Sequence, residues 1–304
     1  MSRSDSPSGL VIVDKPPGWT SHDVVAKLRK LAGTRKVGHG GTLDPMATGV
    51  LVAGIGKATR LLGRFAATDK AYTGTVRLGE ATSTDDAEGE VISSVPAAAL
   101  TTAALPDDAI RAAAAKLTGA ISQVPPQVSA VQVGGERAYR MARAGQRVDL
   151  AARDVTVHTF EIHGIRRDCA GQPHGQVDID VSVACSSGTY IRSLARDLGA
   201  ALGTGGHLTR LRRTRAGPYT EADTRTLDQL AAAFQVIPLA EAAAAAFPRR
   251  DVTAGEAERV AHGVPLPATG AGPGPVAVFG PDGSFLALVS DTGGQARPVA
   301  VFVP

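Results

Sequence analysis

Three polar residues in this chain sit where structural elements end. Asp44 lies between the glycine-rich stretch Gly38-His39-Gly40-Gly41 and Pro45, Tyr72 lies within a β-prone run, and Arg192 follows Thr189-Tyr190. A carboxylate can act as a nucleophile or as a general base. Each residue also has an ordinary structural reading. Asp before Pro is a common helix N-cap with Pro at N1, a lone Tyr suits a core, and a lone Arg suits a solvated helix face. Residue type and spacing alone do not choose between these readings.

The motifs that would bring in a cofactor fail. Gly54-Ile55-Gly56-Lys57-Ala58-Thr59 resembles a phosphate loop, but that motif needs Gly at Leu51 and Ser or Thr at Ala58. A dinucleotide fingerprint needs a third Gly where Thr59 or Leu43 stands. His158, His163, Cys169 and His174 match no common metal spacing. Cys185 closes an alternating strand on its apolar face, which suits an inert thiol. The expectation is chemistry with no cofactor and no metal.

With 304 residues, 43% hydrophobic, the chain can build one large core and a small second domain. A formal charge of +3 is compatible with nucleic acid without demanding it. The alanine-rich stretch from Leu230 to Phe247 is broken by Gln235, Pro238 and Glu241, so it should not span a bilayer. A polar N-terminus and no CxxC pair make a cytoplasmic, reduced protein the expectation.

The elements that must carry these residues follow from patterning. Leu10–Val13 reads as a strand, ended by Asp14-Lys15-Pro16-Pro17-Gly18. Thr20-x-x-Asp23 reads as a capping box for a helix bearing Val24, Val25, Leu28 and Leu31. Val50–Ala53 and Lys70–Leu78 read as strands, Thr59–Ala67 and Asp107–Leu117 as helices, the latter with Gly119 at C′. Glu80–Glu90 reads as an acidic loop. Gly134-Gly135 suggests a hairpin turn. Val155–Ile165 reads as a strand, Arg166–Gly175 as a loop, and Val177 to Cys185 alternates strictly. Thr189 reads as the N-cap of a helix with Tyr190, Ile191, Leu194 and Leu198 on its apolar stripe. After Phe247-Pro248, short strands at Val276–Phe279, Phe285–Val289 and Val299–Val303 form a β-rich module too small for a large core of its own. The main body lacks regular βαβ alternation, so the expected class is α+β with a mixed, largely antiparallel sheet flanked by helices and loops.

Several stretches together carry a family resemblance. Asp14-Lys15-Pro16-Pro17-Gly18-Trp19-Thr20-Ser21-His22-Asp23 and Gly38-His39-Gly40-Gly41-Thr42-Leu43-Asp44-Pro45-Met46-Ala47-Thr48-Gly49 resemble the first two signatures of the TruB family, bacterial tRNA pseudouridine synthases acting on the TΨC arm. Asp69-Lys70-Ala71-Tyr72, Thr84-Asp85-Asp86-Ala87-Glu88-Gly89, Pro125-Pro126-Gln127-Val128-Ser129, Cys185 through Arg192 and Leu211-Arg212-Arg213 continue it in order. The resemblance implies a catalytic domain over 1–247, with an RNA-gripping insertion at about 120–150, and a PUA-like RNA-binding domain over 248–304. It implies that Asp44 is the catalytic aspartate, Tyr72 the active-site tyrosine and Arg192 the arginine that pairs with the aspartate. His39, Tyr190 and Leu211 match positions that contact the target nucleotide, and Asp86 an acidic residue near the flipped bases. Ser187 stands where many members have Lys.

Pseudouridine formation breaks a C–N glycosidic bond and makes a C–C bond with no net redox change, so one placed carboxylate suffices. It can attack the sugar, attack the base or remove a ribose proton. The substrate expected is the T-arm of tRNA, handled by a monomer. Arg210, Arg212 and Arg213 read as a phosphate-binding strip, and Arg137, Arg140, Arg143 and Arg147 as a second basic cluster. Two other readings compete: an RNA-folding chaperone without essential catalysis, and a glycosidase pairing Asp44 with Glu80 or Asp86.

Overall fold

The computed structural model describes residues 7–129, 132–133, 136–137, 149–168, 175–272 and 274–303, of which 132–133 and 136–137 are described by their backbone alone. Strand β1 (Gly9–Lys15) leads to the expected capping box: Thr20 Oγ accepts from Asp23 N, and Asp23 accepts from Thr20 N, starting α1 (Ser21–Leu31). Next come β2 (Val37–His39) and β3 (Thr48–Ile55). The segment read as one helix over Thr59–Ala67 is instead a 3-10 stretch, Gly56–Leu61, running into the short α2 (Leu62–Ala66).

Strand β4 (Lys70–Leu78) has the expected bounds. The acidic segment read wholly as loop opens instead with a strand, β5 (Glu80–Thr82), which pairs with β6 (Val91–Ser94) just beyond it. Helix α3 (Asp107–Lys116) ends at Leu117, so Gly119 is not its C′ residue; at φ +96° it opens β7 (Gly119–Gln123). Strands β8 (Gln132–Val133) and β9 (Glu136–Arg137) pair as a hairpin, while the Gly134-Gly135 turn lies outside the described residues. In β10 (Arg153–Asp168), Arg166–Asp168 are strand rather than loop, because β11 (Gln176–Cys185) supplies a full ladder opposite them. The chain continues with α4 (Ile191–Ala201), β12 (Gly206–Ala216), β13 (Tyr219–Thr220), α5 (Leu227–Ala232), β14 (Ile237–Pro238) and α6 (Leu239–Ala246).

These strands form one sheet in the order β14-β1-β3-β12-β4-β11-β10-β7, with β2 added to β3 and β13 to β12. Only the β3–β12 junction is parallel, which makes the sheet mixed and largely antiparallel. On β11, Val177, Ile179, Val181, Val183 and Cys185 turn inward to meet Leu194 and Leu198 of α4 and Ile110 of α3. Strands β1 and β3 read as unbroken apolar runs because both of their faces are covered. Val11, Val13, Leu51 and Ala53 join that first core, while Leu10, Ile12, Val50 and Val52 join a second.

The chain then builds β15 (Arg249–Asp251), α7 (Ala254–Ala261), β16 (Leu266–Pro267), β17 (Val276–Phe279), β18 (Phe285–Thr292) and β19 (Gln295–Val301), in sheet order β15-β17-β18-β19-β16. Helix α7 went unread although Thr253-x-x-Glu256 is a capping box. A small core forms around Val252, Val260, Leu266 and Val278. The other apolar face of this sheet is spent on the second core, where Phe279, Phe285 and Phe302 meet Phe65 and Tyr219. Lys57 Nζ donates to Phe302 O at 3.1 Å, and the Arg60 guanidinium lies 4.6 Å from the Phe302 ring centroid. Among the described residues no helix is long and apolar enough to cross a membrane.

The parallel junction depends on Gly49. Its φ is +95°, and an added Cβ would stand 2.2 Å from the Arg213 carbonyl oxygen. Gly49→Ala is therefore expected to lower unfolding free energy by at least about 2 kcal/mol in a urea titration, through strain and clash together.

Candidate active site

The loop carrying Asp44 is fixed at both ends. Gly40 N donates to Val52 O at 2.8 Å, continuing the β2–β3 ladder. Gly38 and Gly40 are small because Leu62 and Phe65 lie behind them: a Cβ on either would come within 3.0–3.1 Å of those side chains. Ser21 Oγ, at the start of α1, accepts from Leu43 N at 2.9 Å and donates to Leu43 O. After Asp44, Pro45 O accepts from Gly18 N at 2.9 Å and from Lys15 Nζ at 3.1 Å. No helix begins at Asp44-Pro45, so the helix-cap reading falls away.

Arg192, 148 residues further on, closes a fork on this carboxylate. Its Nε donates to Asp44 Oδ2 at 2.9 Å and its Nη2 to Oδ1 at 3.1 Å. Nη1 donates to Thr84 O at 2.9 Å, Nη2 also to Val128 O at 3.0 Å, and Asp86 Oδ2 lies 3.5 Å from Nε. Three segments, around Asp44, Thr84–Asp86 and Val128, meet on one guanidinium. The Arg192 side chain is 5% exposed and that of Asp44 33%, so the cation lies behind and the carboxylate faces outward. Thr189 is not the cap of α4: Tyr190 takes that place, and its backbone is held by Gln123, which donates to Tyr190 O at 3.1 Å and accepts from Tyr190 N at 2.8 Å.

Asp44 opens on a cavity of about 690 Å³, lined also by Tyr72, Tyr190, Arg192, Leu211 and Arg213, and by residues not anticipated: Lys70, Glu88, Ser129 and His22. Tyr72 and Arg213 are direct cross-strand partners on β4 and β12. Burial pushes the Tyr72 phenol up, with the Arg213 guanidinium opposing, and burial also raises Tyr190, so both stay neutral at pH 7. Burial lowers Lys70 to about 8. Lys15 is likewise lowered to about 8 by burial, opposed by Asp44. Glu88 is raised by partial burial and by the carboxylates of Asp86 and Asp44.

Some expected residues land elsewhere. Asp86 is buried and does not line the cavity; it accepts from Thr84 Oγ and Glu88 N and backs Arg192. His39 lies behind the wall, edge-on to His22 with ring centroids 5.5 Å apart. Burial and His22 lower its pKa, and its Nδ1 is buried without a partner. The strip on β12 divides. Arg210 is exposed, but Arg212 is forked onto Asp14 at 2.9 and 3.1 Å and bonded to Glu221. Arg213 is buried, donating to Val50 O, Thr42 O and Gly41 O, and so cannot serve as a surface phosphate contact. Glu80 is half-buried beside Gln176 and outside the cavity, which removes one carboxylate pair a glycosidase would need. Arg140, Arg143 and Arg147 lie outside the described residues, as does the side chain of Arg137.

Residues 29–191 match the family described as "TruB family pseudouridylate synthase (N terminal domain)". Residues 192–243 match a tRNA pseudouridylate synthase B C-terminal domain, and 247–303 the C-terminal part of tRNA pseudouridine synthase II. A tRNA pseudouridine synthase B of Thermobifida fusca (strain YX) is 62% identical over 295 residues, covering 97% of this chain and 98% of its own. One from Mycobacterium sp. (strain KMS) is 53% identical over 305 residues, covering 100% and 99%. Among solved structures, a chain of a Cbf5-Nop10-Gar1 complex aligns with TM-score 0.72 and 28% identity over 97% of this chain and 85% of that one. A chain of an H/ACA RNP bound to a substrate RNA containing 2'-deoxyuridine aligns with TM-score 0.71 and 26% identity over the same shares. Sheet, cavity and relatives define the class: a pseudouridine synthase, an isomerase. Within that class, the chain belongs to the TruB family.

Proposed function

We propose that this enzyme converts a uridine in the T-arm loop of tRNA to pseudouridine, with Asp44 as the catalytic carboxylate. The observation that carries this reading is the Asp44–Arg192 fork, which holds an outward-facing carboxylate on the wall of a nucleotide-sized cavity. The names of the relatives point to tRNA. In the reaction the N1–C1′ bond breaks, the uracil turns, and C5 bonds to C1′. The C5 proton leaves and N1 gains one, so the mass is unchanged.

The chain's own groups divide the work. Arg192 fixes both oxygens of Asp44 and supplies the charge that makes a partly dry carboxylate tolerable. Tyr72 presents an aromatic face and a neutral hydroxyl to the base. Tyr190 and Leu211 complete the walls around it. The target must leave its stack to enter, at a cost of a few kcal/mol that contacts along the RNA offset. Exposed Arg210 and the C-terminal sheet are where we place such contacts; Arg212 and Arg213 are committed to the protein.

The reading is tested on a tRNA transcript. Incubation with the protein should convert one T-loop uridine to an isomer of equal mass, located by pseudouridine-specific sequencing. A transcript with cytidine at the T-loop uridines should stay unmodified. Modification elsewhere with the T loop untouched would overturn the substrate assignment, and release of free uracil would restore the glycosidase. Binding without any product would leave the chaperone reading.

A further inference from the structure

Trp19 is the chain's single tryptophan, and its side chain is 37% exposed. It occupies the position before the N-cap of α1, from which an apolar side chain commonly packs one face toward N4, here the buried Val24. With 37% of the residue exposed, the indole is only partly covered by the protein. The segment bearing it is rigid. Gly18, at φ +77°, donates to Pro45 O, and Lys15 Nζ donates to Trp19 O at 2.6 Å as well as to Pro16 O and Pro45 O. The Thr20–Asp23 capping box closes the other side. Pro45 follows Asp44, and Pro45, Thr20, Ser21 and His22 all line the cavity. Trp19 thus directly precedes the cavity-lining Thr20, on a turn pinned to the loop that carries Asp44.

An RNA that gives up one base to the cavity breaks the stack on both sides of that base. The flanking base is left with an apolar face in water beside the entrance. An aromatic ring held there can cover that face at little cost in conformational freedom. We propose that the exposed face of Trp19 is a stacking subsite for an unpaired base flanking the target uridine, a second nucleotide position on the rim. The inference rests on the RNA-modifying reading above. Because every base has a π face, the subsite sorts stacked from unstacked RNA and not one base from another.

The single tryptophan makes this measurable. Asp44→Asn, which retains Trp19, is titrated with unmodified tRNA transcript, with binding followed by gel shift and tryptophan emission recorded in parallel. Emission should be quenched as the complex saturates. In the same background, Trp19→Phe should bind nearly as tightly, and Trp19→Leu about 5- to 150-fold more weakly. Complex formation with unchanged emission would overturn the subsite while leaving the RNA reading intact, as would Trp19→Leu binding like its parent. No complex at all would overturn the RNA reading and the subsite with it. The emission result does not depend on whether Trp19→Leu folds.

Discussion

Asp44→Asn is expected to fold, to bind tRNA and to form no pseudouridine, a fall of at least about 10⁴-fold in turnover. The substitution keeps the shape of the side chain and removes its charge. The amide can still accept one hydrogen bond from Arg192, but its NH₂ would face a second donor, so the fork is lost. Arg192 does not become an unpaired buried cation, because Asp86 stays 3.5 Å from its Nε and Thr84 O and Val128 O still accept from it. The melting temperature should therefore shift by only a few degrees. Single-turnover assays at saturating enzyme check the chemistry apart from binding. Product formed at near the parental rate would remove Asp44 from the role proposed for it.

Arg192→Lys should lower single-turnover rate by about 100-fold or more, with tRNA affinity changed far less. A lysine retains the charge but replaces a planar fork with one ammonium, which cannot hold Asp44 Oδ1 and Oδ2 while also reaching Thr84 O and Val128 O. The carboxylate then samples several orientations, and misplacement on the scale of an ångström is costly at a reacting centre. Arg192→Ala should behave differently, since it strips Asp86, 4% exposed, of its nearby cation. That variant should lose about 3–5 kcal/mol of stability, measurable by chemical denaturation. Near-parental rates in Arg192→Lys would show that orientation by the fork is not what the chemistry needs.

How much of this was legible beforehand depends on range. Where the signal is local, the sequence reads well: the capping box at Thr20–Asp23, the bounds of β4 and the strict alternation of β11 are all decided within a few residues. The errors are also local readings, overruled by distant partners. Arg166–Asp168 looks like loop until β11 is laid beside it. Arg212 belongs to a basic run along the chain, yet Asp14, 198 residues away, supplies its counter-charge. Arg213 sits next to it but points inward, as alternation on β12 requires, and becomes part of the scaffold. At the site itself, Asp44 and Arg192 stood out only through matched stretches. Gln123 and Lys15 were missed as its supports, because holding a backbone carbonyl or a cap leaves no pattern in the neighbouring sequence.

Phe65 and Leu62, which press on Gly38 and Gly40 behind the Asp44 loop, belong to the same apolar cluster as Phe279, Phe285 and Phe302 near the far end of the chain. The terminal sheet is thus a buttress: its aromatic face packs into the same core that backs the loop. Trimming the chain there would loosen the ground on which the carboxylate stands.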